Sequence, residues 1–309
     1  RKLITAAFTP KAMASVRESV EVTVDRLFQS AADVQELDFM VLVAQPLPMR
    51  VIARIVGLPE ADEQRLQRWS DALTTVLEPG SSFQARCAAD AAVREFGTYV
   101  KLHVGRRRRQ RGTSAKANLI DSLIEAECGN GRLEELELLG IVMLLVLAGF
   151  ETTSNLLGNG LLALLRHRDQ LVRLRENPRL TDYAVEEFLR YDTPAAVNGR
   201  VVLQDVSLNG KRLRAGELVF CMLSAANRDP AVFQDPDRLD ISRYPNPHLS
   251  FGGGGRYCVG APLARLEAQV VFERLTSWWR EIELDEAGVQ WRNLVNLRGL
   301  QRLPIRVVH

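Results

Sequence analysis

The longest helical pattern in the chain runs from about Glu134 to His167, and it dominates a sequence whose first two-thirds read as one helix after another. Its most apolar stretch, Leu138 to Phe150, is closed by Glu151 and falls short of the ~20 apolar residues a membrane-spanning helix needs. No membrane span is therefore expected. Ahead of it, Thr9-Pro10 offers an N-cap and a proline at the first helical position, followed by Met13, Val16, Val20, Val24 and Leu27 at helical spacing. Leu66, Trp69, Leu73 and Val76 form a second stripe that Pro79-Gly80 closes. A third helix is expected through Phe96 and Val104 into Arg106 to Arg109, ending before a Gly112-Thr113-Ser114 loop. That basic run has no interleaved aromatics and reads as a solvated helix end rather than a nucleic-acid surface.

Beyond a shorter helix around Val185 to Arg190, the pattern changes at Asp192-Thr193-Pro194. Val201 to Leu203 and Val206 to Leu208, with the turn signal Asn209-Gly210, predict short strands and a hairpin. Asp229 to Gly255 is rich in proline, aspartate and glycine, without periodicity, and loops of that length inside a compact domain are usually functional. A last helix carries Leu263, Leu266, Val270, Val271 and Leu275, and short strands end the chain. Nothing divides it, so residues 1–309 are expected to form one domain, mainly α with small β-sheets (α+β).

Composition narrows the function. With 46% apolar residues and a net charge of +2, the chain is neither disordered nor drawn generally to nucleic acid or anionic lipid. Cys87, Cys128, Cys221 and Cys258 include no C-x-x-C pair, which argues against a disulfide framework or a zinc ribbon. A reducing compartment, the cytoplasm, is expected.

The strongest chemical signal is Phe251-Gly252-Gly253-Gly254-Gly255-Arg256-Tyr257-Cys258-Val259-Gly260, leading into Ala261-Pro262-Leu263. Consecutive glycines suit backbone that adopts positive φ or approaches another group closely. A cysteine just ahead of a helix N-terminus meets free N–H groups and the positive end of the dipole, both of which favour the thiolate. Such a sulfur can be a nucleophile, a redox thiol or an axial metal ligand, or an inert thiol beside a glycine-rich loop. A phosphate loop would need a Lys-Ser/Thr ending, which is missing, and a catalytic cysteine would have only His248 nearby as its base.

Two further signals are weaker alone. Ala148-Gly149-Phe150-Glu151-Thr152-Thr153 interrupts the apolar helix with an acid and hydroxyls. Either one helix bends there around a ligand, or one helix ends at Gly149 and a second begins after a Thr/Ser/Asn cap. Glu187 and Arg190, spaced i to i+3, would ordinarily be a surface pair worth only ~0.3 kcal/mol.

Together, in this order, the three motifs resemble those of the cytochrome P450 family of haem-thiolate monooxygenases, particularly its soluble bacterial members. The family's haem loop, F-x-x-G-x-R/H-x-C-x-G, matches Phe251, Gly254, Arg256, Cys258 and Gly260. The resemblance implies a haem b held by Cys258 as proximal thiolate, with Phe251, Gly252 and Gly260 in the ligand loop. Arg256, Arg200 and Arg1 would meet its propionates. The family motif A-G-x-D/E-T matches Ala148, Gly149, Glu151 and Thr152, which implies an oxygen groove at the first two and proton delivery by the last two. E-x-x-R matches Glu187 and Arg190 as a structural network, with Arg238 expected as its third member. Further matches lie at Pro46-Leu47-Pro48, Gly57-Leu58-Pro59 and Arg298-Gly299-Leu300. The family also carries a substantial region ahead of the position of Arg1, so a chain lacking its N-terminal part is expected.

The resemblance thus implies an enzyme that inserts one oxygen atom from O2 into a lipophilic small molecule, in bacterial secondary metabolism or catabolism. Electrons would come from a ferredoxin and an NAD(P)H-dependent ferredoxin reductase, with Arg265 facing the ferredoxin. A monomer is expected. Pocket walls are expected at Leu144, Leu147, Ala195, Ala196, Val197, Asn198 and Val295. Peroxide-driven oxidation, oxidative coupling and a haem-free interaction module remain as alternatives.

Overall fold

The computed structural model describes residues 2–78, 80–110, 118–128 and 133–308; Arg1 and the expected Gly112-Thr113-Ser114 loop lie outside them. Short α1 (Lys2–Thr5) leads to α2 (Pro10–Gln29). Thr9 caps α2, its hydroxyl accepting from the Ala12 amide at 3.3 Å. Strand β1 (Glu36–Asp38) precedes α3 (Pro46–Val56), α4 (Glu63–Val76) and α5 (Phe83–Arg109), and α6 is Leu119–Cys128. The basic end of α5 is spent on packing: Arg107 pairs with Asp121 of α6 and Arg108 with Glu127.

The expected spine is α7 (Glu135–Arg166), one unbroken helix. Its start is set by a capping box, in which the Glu134 amide donates to Glu137 at 2.9 Å. It does not break at Gly149. The Thr152 hydroxyl donates to the Ala148 carbonyl at 2.8 Å and Ser154 donates to Phe150 at 2.9 Å, so these hydroxyls find acceptors one turn back. By length and composition α7 is apolar enough to cross a membrane, because the helix continues past Glu151. Its run from Thr153 to Leu165 is buried inside the protein, and the helix as a whole packs against α3, α4, α5, α9 and α11.

Helices α8 (Arg168–Glu176) and α9 (Thr181–Tyr191) follow. The strand expected at Val201–Leu203 lies earlier and shares only Val201 with it: β2 is Val197–Val201, paired antiparallel with β5 (Leu218–Met222). Between them β3 (Val206–Leu208) and β4 (Lys211–Leu213) form the hairpin. Its turn residues Asn209 and Gly210 have φ of 49° and 75°, as a type I′ turn requires. After the single turn α10 (Leu223–Ala226) the chain is largely irregular until α11 (Ala261–Trp278). Strands β6 (Glu281–Leu284), β7 (Gln290–Trp291), β8 (Leu300–Arg302) and β9 (Pro304–Val308) close the order, with β9 central in the sheet β1-β9-β6.

Where α7 meets α9 and α11 the packing is close. Phe188 and Phe272 stack tilted at 4.8 Å between centroids. Both press on Gly160, where a Cβ would lie within 2.9 Å of them.

Candidate functional site

A cavity of about 290 Å³ lies between the middle of α7 and the glycine-rich loop before α11. The α7 side presents Leu145, Ala148, Gly149, Thr152 and Leu156, residues that share one helix face because they recur every three or four positions. The loop side presents Phe251, Gly252, Gly253, Arg256, Cys258 and Gly260. The loop closes on itself where the Cys258 amide donates to the Phe251 carbonyl at 2.9 Å. Two of its four glycines need their freedom: Gly252 and Gly254 have φ of 71° and 58°.

The third wall comes from Pro194, Ala195 and β2. Asn198 and Arg200 point in, as alternate residues of a strand do. Arg200 donates to Asn198 Oδ1 and to the Gly199 carbonyl, the latter at 2.8 Å. Neither Arg200 nor Arg256 meets a carboxylate among the described residues. A thiol, two guanidiniums without carboxylate partners and walls of Ile52, Leu145 and Leu263 form one cradle. This donor set fits a flat apolar macrocycle that takes sulfur on its metal and carries two acidic groups.

Most of the expected residues converge here, and several do not. Glu151 does not line the cavity. Only 2% exposed, it turns to Arg292, which also donates to Asp71 at 2.6 Å. Burial pulls the Arg292 pKa down, but the Glu151 and Asp71 carboxylates more than offset it, so the pKa stands raised. Of the expected pocket residues, only Ala195 and Asn198 line the cavity. Leu144 and Leu147 are each one position out of phase with Leu145 and Ala148, about 100° around the helix, and Leu144 is exposed. Val197 lies on the opposite strand face to Asn198. Ala196 is buried, its amide bonded to the Asn296 carbonyl at 2.9 Å. Val295 is exposed, its amide held by Glu78.

The Glu187–Arg190 pair is wholly buried, with two contacts of 2.8 Å. Arg190 also donates to the carbonyls of Asn227, Pro236 and Arg238 at 2.7–3.1 Å. The third member is Arg243, not the expected Arg238. Arg238 contributes its carbonyl, whereas Arg243 brings the guanidinium, its Nε 3.1 and 3.2 Å from the two Glu187 oxygens. Arg265 is also not a free docking charge. It forks onto Glu186 at 2.6 and 2.8 Å. Arg292, Arg243 and Glu186 went unnoticed in the sequence because none stands in a local pattern with its partner.

The family model described as Cytochrome P450 matches residues 82–279. Among curated proteins, the chain is 38% identical over 308 residues to the polyketide biosynthesis cytochrome P450 PksS of Bacillus subtilis (strain 168), covering 99% of this chain and 74% of that protein. Among solved structures, P450BioI in complex with acyl carrier protein ligated with hexadec-9Z-enoic acid superposes with a TM-score of 0.94. It is 36% identical, over 99% of this chain and 78% of that one. Myxobacterial cytochrome P450 CYP267B1 in complex with myristic acid also gives 0.94, at 38% identity over 100% and 76%.

Proposed function

The chain belongs to the cytochrome P450 family and is a haem-thiolate monooxygenase, and on that premise we propose that the cavity between α7 and the Cys258 loop is its haem and substrate site. The observation that carries this reading is that Cys258 and Thr152 line one cavity, with Arg200 and Arg256 on its rim. Cys258 would hold the iron through its sulfur, and the two arginines would pair with the propionates, a role their planar, permanently charged forks suit. We assign a non-covalent haem b, since the sequence contains no C-x-x-C-H attachment motif. Bound there, the haem supplies activation of O2 and transfer of one oxygen atom, with thiolate ligation favouring O–O cleavage.

The residues around it position and protect. Ala148 and Gly149 keep the α7 wall thin, and a Cβ at Gly149 would meet Ile52 Cγ1 at 2.9 Å. The Thr152 hydroxyl, bonded back to Ala148, keeps its oxygen free to accept a proton donor on the cavity side. Glu151, on the next 100° of helix, holds its charge against Arg292 outside the cavity wall. In this reading Glu151 feeds protons from the Arg292 side and Thr152 delivers them.

The substrate is proposed to be a lipophilic small molecule of bacterial secondary metabolism, since Ile52, Leu145, Leu156 and Leu263 offer apolar walls. The fatty acyl and polyketide names of the relatives support that class. Electrons are proposed to come from a ferredoxin and its NAD(P)H-dependent reductase. Residues 1–309 are read as belonging to one haem domain of a monomeric cytoplasmic enzyme.

The deciding measurement is the absorption spectrum of the reduced protein under carbon monoxide. A red-shifted thiolate-type band, lost in Cys258→Ser, is expected. A thiolate-type band that persists in Cys258→Ser would remove the assignment. Turnover with reduced ferredoxin, compared with turnover on hydrogen peroxide alone, then separates a monooxygenase from a peroxide-driven enzyme. A screen for compounds that displace the iron's water, read by the spectral shift, would identify the substrate class.

A further inference from the structure

Outside the cavity, one carboxylate gathers contacts that converge on the Cys258 loop. Glu186 of α9 receives both arms of Arg265, Nε on Oε1 at 2.6 Å and Nη2 on Oε2 at 2.8 Å. His248 Nε2 lies 3.0 Å from Glu186 Oε2. The Ser250 amide donates to His248 Nδ1 at 3.3 Å, which leaves the ring proton on Nε2, where it donates to Glu186. The Arg265 guanidinium covers the Phe251 ring at 4.5 Å and reaches the Tyr257 hydroxyl at 3.1 Å. Positions 248, 251 and 257 of the loop are thereby tied to α9 and α11 through one ion pair. Phe251 in turn accepts the Cys258 amide at 2.9 Å.

We propose that the Glu186–Arg265–His248 cluster positions the Cys258 sulfur, with Arg265 as a positioning residue that ties the loop ahead of the cysteine to α9 and α11. The proposal rests on Cys258 being the iron's ligand. Its basis is geometric. A fork-to-carboxylate pair is the most directional ion pair a protein makes, and stacking on Phe251 adds a second plane of constraint. At 29% exposure for both partners, the pair contributes little as a simple charge contact. Burial pushes the Glu186 carboxyl up, yet hydrogen bonds from Arg265 and His248 prevail and hold its pKa at about 2. The carboxylate therefore stays charged in its clamp across the working pH range. Arg274 of the same helix, paired with Asp25 at 2.7 Å and similarly exposed, supplies an internal control.

The test uses the haem-loaded, full-length protein and its E186Q, R265Q, R265K and R274Q variants. The thiolate-type carbon monoxide band is followed over time at a fixed interval below each variant's melting temperature. Losing a charge-assisted hydrogen bond should make E186Q and R265Q lose the band about tenfold faster than wild type. The double variant should be no faster than either single one. R265K, which keeps the charge but loses the fork, should fall between, and R274Q should match wild type. Wild-type rates in both E186Q and R265Q would overturn the proposal. So would an equal acceleration in R274Q, because the effect would then be general to α11. Failure of the Cys258 assignment would look different: the band would be missing from the wild-type protein itself, and the clamp would have no ligand to position.

Discussion

The carboxylate of Glu151 and the guanidinium of Arg292, 141 positions apart in the chain, close on each other just outside the cavity that Thr152 lines. Consecutive residues of α7 thus face two compartments, because each step turns about 100° around the helix. Beyond Arg292, Asp71, Thr74 and Thr75 share a second cavity with it, of about 260 Å³.

Arg292→Ala would leave Glu151 buried and unpaired, a situation that costs about 3–5 kcal/mol. Denaturant unfolding should show that loss, and adding Glu151→Gln should recover part of it. A double variant no more stable than Arg292→Ala would mean the pair carries no such strain.

Thr152→Ala removes the hydroxyl and its bond to Ala148 without touching the haem-holding residues proposed above. The variant should stay folded and release more hydrogen peroxide per NAD(P)H consumed. Fully coupled turnover in a ferredoxin assay would contradict the delivery role.

Arg243 and Arg238 can be told apart by stability. Arg243→Gln takes one of two guanidiniums from the buried Glu187 and should cost about 3–5 kcal/mol. Arg238→Gln leaves the contributing carbonyl in place and should stay within about 0.5 kcal/mol of wild type. Comparable losses in the two would show that the side chain of Arg238 matters after all.

Gly160→Ala sets two effects against each other. Alanine gains about 1 kcal/mol of helix propensity. Overpacking against Phe188 and Phe272, each within 2.9 Å of the new methyl group, costs about 1–3 kcal/mol. A net loss of about 1 kcal/mol is expected by thermal unfolding; a rise in melting temperature would mean the rings yield easily.

Glu267 of α11 is 1% exposed, and its Oε2 has no hydrogen-bond partner among the described residues. Burial pushes its carboxyl well above the usual range. With the folded pKa raised, its contribution is most favourable below the unfolded value of about 4.3 and is lost as pH rises toward the folded pKa. Glu267→Gln should therefore stabilise the protein at neutral pH by about 1–2 kcal/mol. Melting curves should show that gain fading below pH 4.5 or so; a gain independent of pH would refute the titration argument.

The two ends of α7 were readable because their signals are local, whereas the sequence left its continuity through Gly149 open. The start sits in Glu134 and Glu137, three positions apart, and the hydroxyls of Thr152 and Ser154 satisfy themselves within the same helix. That is why the interruption at Gly149 bends nothing apart. The hairpin around Asn209-Gly210 was legible for the same reason: two adjacent residues carry the whole turn. Leu144 and Leu147 were misplaced by phase alone, since an apolar run with no polar residue between Ile141 and Phe150 does not say which stripe faces a cavity.

By itself the sequence determined the order of elements, the glycine loop that carries Cys258 ahead of α11, and the helical placement of Glu187 and Arg190. Each of these rests on residues within a few positions of one another, where backbone geometry alone sets who meets whom. The tertiary structure decided that Arg243 rather than Arg238 completes the Glu187 network, that Glu151 turns to Arg292, and that Arg265 is committed to Glu186. Those pairings join segments from 56 to 141 positions apart. An irregular loop has no period from which to read the direction of a side chain, so packing chose the partners.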